Sequence, residues 1–187
     1  GRGVRRIREN QPGVPAQLMW AGSRIVRAGE KLPLRLRAED EWGNACWDRP
    51  DQIEISATLD GKPVYEKKTT LADKGWAVRL LEDVPTDKPG ELAITARLPQ
   101  HPWVKPQTFY VTVDKAFEAP RIYYCDLHVH SEDTIGTNST VYNLTYGRDV
   151  GGLDVLAFAH NDFNITAEKW KQTVDLIREI TKDGSFV

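Results

Sequence analysis

Four runs ahead of residue 115 alternate apolar and polar residues with a period of two: LPLRLRA at residues 32–38, IEISATL at 53–59, ELAITARL at 91–98 and TFYVTV at 108–113. Successive side chains of a strand point to opposite faces, so each run presents one apolar face that has to be covered. This predicts half-buried antiparallel strands. Turn signals separate them, at Asp60-Gly61, Lys74-Gly75, Pro89-Gly90 and Trp42-Gly43-Asn44, and no helical period intervenes. Short strands at this spacing predict a β-sandwich of immunoglobulin-like type over residues 15–115, behind a tail at residues 1–14. Strand order is not fixed by the pattern.

After a linker at residues 116–121, rich in charge and ending in Ala119-Pro120, the pattern changes. A β-branched and aromatic run leads into Asp126-Leu127-His128-Val129-His130, and a second apolar run, LDVLAFA at residues 153–159, ends in His160-Asn161-Asp162. Between them, residues 137–140 offer N-caps to a helix over 141–150 that Gly151-Gly152 terminates. Thr166 can cap a further helix in which Trp170, Thr173, Val174, Ile177 and Ile180 form a core-facing stripe. Lys182-Asp183-Gly184 ends that helix, and residues 185–187 start a third strand.

His128 and His130 lie two apart in a strand, so both imidazoles can converge on one cation, with Asp126 on the same face. Neutral imidazole is the commonest metal ligand. Two half-exposed imidazoles on an ordinary strand give the same spacing. The second apolar run weighs for the metal: parallel strands of a βαβ unit end on one side of the sheet, which would bring His160 to the same rim.

At DLHVHS (residues 126–131) and the His/Asp cluster after the second run, the chain resembles the PHP family, the polymerase and histidinol phosphatase superfamily of metal-dependent phosphoesterases. SEDTIGTNST at residues 131–140 and GRDVGGLDVLAFAHNDFNIT at 147–166 resemble a branch of large, mostly bacterial proteins with a β-rich domain ahead of a PHP-like one. The resemblance implies a distorted (β/α) barrel binding two or three divalent ions, with metal ligands at His128, His130 and near His160. The family pattern after the second strand is Thr-Asp-His-Asp. This chain reads Ala159-His160-Asn161-Asp162, so the imidazole is displaced by one position and Asn161 occupies the usual histidine slot when Asp162 fixes the register. The expected fold is therefore α+β and multidomain: the sandwich, then residues 122–187 as the first two βα units of a PHP-like barrel. The remainder of the same protein or a second chain would complete that barrel.

The expected function is a divalent-metal-dependent hydrolase, a phosphoesterase using metal-activated water on a small-molecule substrate. His128, His130, Asp126 and His160 are the metal candidates, with Asp126 a ligand or the group orienting an imidazole. Glu132, Asp133 and Asp162 are candidates for bridging ligand or general base, and Asn161 for a hydrogen bond to substrate. A mixed N/O set suits Mn, Zn or Fe. The alternative is a non-catalytic binding or structural module, which the displaced His160 favours and the intact DLHVHS opposes.

With 25 Lys and Arg against 27 Asp and Glu, the chain carries no nucleic-acid stripe beyond a short basic start at residues 1–8. No run reaches membrane length, and a cytoplasmic setting is favoured with periplasm and secretion left open. Cys46 and Cys125 lack CxxC spacing and read as two buried thiols, Cys125 turned away from the histidine face. Three N-glycosylation sequons, at Asn138, Asn143 and Asn164, read as chance matches. Trp20, Trp42, Trp47, Trp76 and Trp103 all fall within the sandwich. Tryptophans can form sugar-stacking platforms, but that needs several exposed on one face, and a domain of this size needs large apolar anchors, so packing is the reading.

Overall fold

The computed structural model describes residues 13–47, 51–72, 75–118, 122–182 and 185–187. The basic start, most of the N-terminal tail, Lys74, the Ala119-Pro120 end of the linker and Asp183-Gly184 lie outside the described residues. Contacts divide the chain into two compact units, Gly1–Ala116 and Phe117–Val187.

The first unit is a β-sandwich. Strands β1 (Gln17–Ala21), β3 (Leu34–Glu39) and β6 (Val78–Leu81) form an antiparallel sheet in the order β1-β3-β6. The second sheet contains β2 (Ile25–Arg27), β4 (Gln52–Leu59), β5 (Lys62–Thr70), β7 (Gly90–Arg97) and β8 (Gln107–Asp114), in the order β2-β8-β7-β4-β5. All its pairs are antiparallel except β2 with β8. The alternation fixes which residues face inward: Leu34 and Leu36 from one sheet and Ile53, Ile55, Leu92, Ile94, Phe109 and Val111 from the other join one buried cluster. Burying such side chains contributes roughly 25 cal/mol per Å² of apolar surface.

Turn chemistry sets the register. Asp60 (φ 48°) and Gly61 (φ 79°) both adopt positive φ, the requirement of a two-residue type I′ hairpin, and they join β4 to β5. The Asp60 carboxylate also accepts from the Glu91 N–H at 2.9 Å, tying the turn to β7.

Beyond β3, buried Asp40 organises a second turn. Its carboxylate accepts from the backbone N–H groups of Gly13 (3.1 Å), Trp42 (2.9 Å) and Asn44 (2.9 Å), and from the Asn44 side-chain amide. Burial works to raise this carboxyl, but the Asn44 amide and the three backbone donors together outweigh it and hold it at about 2. A depressed native pKa contributes stability that is complete above the unfolded pKa and is lost as pH falls through the folded one. Urea midpoints of wild type are therefore expected to fall more steeply than those of Asp40→Asn between about pH 4 and pH 2. Parallel curves for the two proteins would show that the charge on Asp40 does not stabilise the turn.

The second unit carries β9 (Cys125–Val129) and β10 (Val155–Phe158) as a parallel pair. The crossover between parallel strands contains α1 (Thr140–Thr145) and a π-helical turn, Tyr146–Gly151. Ser139 caps α1 by accepting from Tyr142 N–H at 3.1 Å, and Gly152 in the left-handed conformation (φ 71°) closes the π turn. Helix α2 (Ala167–Ile180) follows, capped by the Thr166 hydroxyl on Lys169 N–H. Leu176, Ile177 and Ile180 pack on a small core of Leu144, Leu156 and Phe186, and Thr173 is buried. Trp170, expected on the core stripe, is 53% exposed instead. Val187 exchanges backbone hydrogen bonds with β10, to Asp154 O and from Leu156 N, both at 2.9 Å.

These observations correct the expected fold class. The regular elements of the described residues are mostly strands, with two α-helices, and the second unit holds a two-stranded parallel sheet rather than part of a (β/α) barrel. A barrel closes only when its strands tilt and stagger around a full circle, and among the described residues no such curved sheet forms. Neither cysteine is in a disulfide: Cys46 is buried, while Cys125, expected buried, is exposed. No helix among the described residues is long and apolar enough to cross a membrane.

Candidate functional site at the end of strand β9

The imidazoles of His128 and His130 meet at the end of β9. Their Nε2 atoms are 3.1 Å apart, with ring centroids at 5.0 Å and planes at 73°. One ring donates and the other accepts in this contact, since neutral imidazole has one donor and one acceptor nitrogen. Two nitrogens bound to one tetrahedral zinc at about 2.0–2.1 Å lie about 3.3 Å apart. The pair thus has the separation that a shared cation requires.

Asp126 does not join them. Three steps along β9, from Asp126 to Val129, stand against two along β10, from Leu156 to Phe158, so the register slips by one residue. This is a bulge, a feature that re-aims side chains at strand ends. The Asp126 carboxylate spans it, accepting from His128 N–H at 3.1 Å. Its role in this structure is to hold the strand's own backbone.

The loop after β9 fixes His130. Ser131 O accepts from Thr134 N–H (3.0 Å) and Gly136 N–H (2.9 Å), Glu132 N–H donates to Asn138 O (2.8 Å), and the Asn143 amide donates to His130 O (3.0 Å). Gly136 lies flat against the 130–131 peptide. A Cβ there would sit 2.4 Å from His130 O.

Register also explains the place of His160. Phe158 pairs with Val129, and Ala159 N–H donates to Val129 O, which brings His160 level with Ser131 rather than with the imidazole pair. His160 Nε2 is 3.0 Å from Ser131 Oγ. Ser131 is fully buried, and its neighbours complete a polar cluster: Thr140 Oγ1 lies 2.9 Å from Ser131 Oγ and donates to Asp133 Oδ2 at 2.7 Å, while Lys169 Nζ stands 3.4 Å from Asp133 Oδ1. The Thr140 hydroxyl holds the Asp133 carboxyl below its ordinary range against the opposing effect of burial, with help from the Lys169 and His160 charges. Burial, aided by His130, pushes His160 below the usual imidazole value, and Asp133 works the other way.

Thr140 has one hydrogen, and the anionic Asp133 at 2.7 Å takes it. Ser131 is then free to relay from His160 Nε2–H toward Asp133, at the longer distance of 3.4 Å. The opposite tautomer would strand an N–H at His160 Nδ1, which is buried without a partner, and orphaned buried donors are rarer than orphaned acceptors. The relay leaves a bare lone pair at that nitrogen. His130 Nδ1 and Asn161 Oδ1 are likewise buried and unpartnered. Glu132 and Asp162 are exposed, and Asn161 O accepts from Asn164 and Ile165 N–H.

The structure thus joins His128 to His130, and His160 to Asp133 through Ser131, as two neighbouring arrangements. Among the described residues, no group of three or more His, Cys, Asp or Glu side chains converges as a metal cage. Sequence reasoning missed Ser131, Thr140 and Lys169. Thr140 lies in the segment read as a source of caps, but Ser139 is the cap and Thr140 turns inward.

No family model and no curated protein matches the chain. Solved structures that match include a superoxide reductase (neelaredoxin) from Ignicoccus hospitalis, at 11% identity over 54% of this chain and 82% of that one, with a TM-score of 0.38. A CARDB domain from Pyrococcus furiosus, solved in complex with di-metal ions, matches at 16% identity over 52% of this chain and 91% of that one, TM-score 0.35. The PKD domain of an M14-like peptidase from a Thermoplasmatales archaeon matches at 15% identity, over 54% and 97% of the two chains, TM-score 0.30. The PHP resemblance is overturned: no family model matches the chain, and among the described residues the second unit shows a parallel strand pair without a barrel.

Proposed function

We propose that the second unit binds a divalent metal ion, Zn, Mn or Fe, through His128 and His130 and hydrolyses a small ester, with phosphoesters the first class to screen. The single observation that supports this most is the 3.1 Å approach of the two Nε2 atoms on a loop that holds His130 rigidly. The chemistry such an ion supplies is water activated near neutral pH and a polarised phosphoryl or carbonyl oxygen. The chain's own groups divide the remaining work. Asp133 is anionic, saturated by Thr140 and Lys169, and held below its usual range, which makes it a poor proton acceptor. Its part is to orient Ser131 and, through it, His160. Glu132 and Asp162, exposed near the imidazoles in sequence, are the general-base candidates, and Asn161 is the candidate donor to substrate.

A second reading, a non-catalytic binding module, draws support from the engagement of His160 by Ser131 instead of by the imidazole pair. Elemental analysis separates the two. Wild type reconstituted with each metal is expected to retain one of them stoichiometrically, and His128→Ala/His130→Ala to retain none, with hydrolysis of p-nitrophenyl phosphate lost in parallel. A wild type that stays metal-free after reconstitution would sink the hydrolase and leave the binding module.

A further inference from the structure

The sandwich carries a cleft that plays no part in the imidazole site. Its volume is about 740 Å³, within the roughly 300–1,000 Å³ of small-molecule sites. Trp42, 81% exposed, and Trp103, 59% exposed, both line it, together with the Asp40 turn and residues 13–16. Packing explains neither indole's exposure. Trp20, by contrast, is spent on the fold: it donates to Gln107 O at 3.1 Å and packs against Phe109 and the core.

The cleft is built. Trp103 Nε1–H donates to Pro15 O at 2.9 Å, and His101 meets its ring edge-on at 5.0 Å. His101 is itself buried and held by Asp51 at 2.8 Å. An indole fixed at its edge and open on its face is a preorganised stacking platform. Trp42 is presented by the turn that Asp40 ties together.

Chemistry narrows the ligand. Among the described residues the lining contains Asp40 and Glu41 and no Lys or Arg, which disfavours phosphates, nucleic acids and acidic sugars. Proline-rich peptides use aromatic grooves whose indole N–H groups meet the peptide carbonyls, and here the Trp103 N–H is taken by Pro15, which leaves such a peptide one lining indole donor, that of Trp42, where two rings line the cleft. An organic cation would be drawn by concentrated negative charge beside the rings, yet the Asp40 carboxylate is turned inward and saturated by three backbone N–H groups and the Asn44 amide. What remains is two aromatic faces, one exposed carboxylate at Glu41 and the carbonyl oxygen of the Asn44 side chain, whose amide nitrogen is spent on Asp40. That set suits a flat C–H face edged by hydroxyls. We infer that the sandwich unit binds a neutral oligosaccharide, its pyranose rings stacked on Trp42 and Trp103 and its hydroxyls donating to Glu41.

The full chain is titrated by calorimetry, with tryptophan fluorescence in parallel, against hexasaccharides of glucose, xylose, mannose and N-acetylglucosamine at up to millimolar concentration. At least one is expected to bind, and Trp42→Ala to weaken it by about tenfold, the scale of one lost aromatic contact. Because Trp42 is 81% exposed, this variant is expected to keep a melting temperature close to that of the wild type. Trp103→Phe, which keeps the ring face, should bind more tightly than Trp103→Ala at equal foldedness. The inference is overturned if no hexasaccharide binds, if binding ignores Trp42→Ala, or if only tetramethylammonium or an oligoproline peptide shows Trp42-dependent binding. Metal content is not involved, so failure here and failure of the hydrolase reading are separate results.

Discussion

Gly136→Ala is expected to destabilise the second unit by about 3 kcal/mol, the upper end of the usual cost of overpacking, and to disorder the imidazole pair. An added Cβ would lie 2.4 Å from His130 O, 2.6 Å from His130 C and 2.8 Å from Ser131 N. All three are backbone atoms, so no side chain can swing aside to relieve the contact. The peptide they belong to is also held from both ends, by the Asn143 amide on His130 O and by Thr134 and Gly136 N–H on Ser131 O. Relief therefore requires the loop to retreat from His130, which breaks those bonds and frees the ring. Hydrogen exchange reads this directly: the Thr134 and Gly136 amides are expected to lose protection, and, on the proposed metal site, retention should drop as expected for the double histidine variant. Wild-type protection in Gly136→Ala would mean that the loop relaxes without cost and that His130 is not held by it.

Much of the sandwich is legible in the sequence because its central strands are buried on one face only. The alternating runs at residues 53–59, 91–98 and 108–113 fall on β4, β7 and β8, where the period of two survives as alternating burial. Strand β5 left no such trace. Its sequence KPVYEKKTT is largely polar, it lies at the sheet edge, and only the Asp60-Gly61 turn announces it. Strand β2 has three residues, too few for a period, and is recruited by parallel pairing with β8.

The site shows the same division. Spacing alone put His128 beside His130, because a two-residue repeat is local. The bulge that diverts Asp126, and the register that delivers His160 to Ser131, depend on how β9 meets β10, which no short motif encodes. The family resemblance failed for this reason: the motifs at residues 126–140 and 147–166 describe two strand ends and the segments beside them, and a barrel is a property of many strands at once. Trp42 and Trp170 make a related point. Residue type suggests an anchor, but a turn held by Asp40 and one position on α2 put these rings outside.

Ile94→Ala is expected to cost the sandwich about 4 kcal/mol, within the range for emptying a close-packed site. Ile94 is fully buried at the middle of β7, the centre of the five-stranded sheet. Collapse into the void is what lowers such costs, and here both cross-strand neighbours resist it. On β4 the partner is Ala57, which has nothing to extend, and on β8 it is Phe109, whose ring is held by Trp20 and by the Arg24 guanidinium 4.5 Å from its centre. The comparison that makes the test decisive is Tyr110→Ala, one residue along β8 and 60% exposed on the outer face. A surface change of that kind should stay within about 0.5 kcal/mol. Urea unfolding of the two variants thus reads the period of two as an energy difference, and equal costs would mean that the inner and outer faces of this sheet had been assigned the wrong way round.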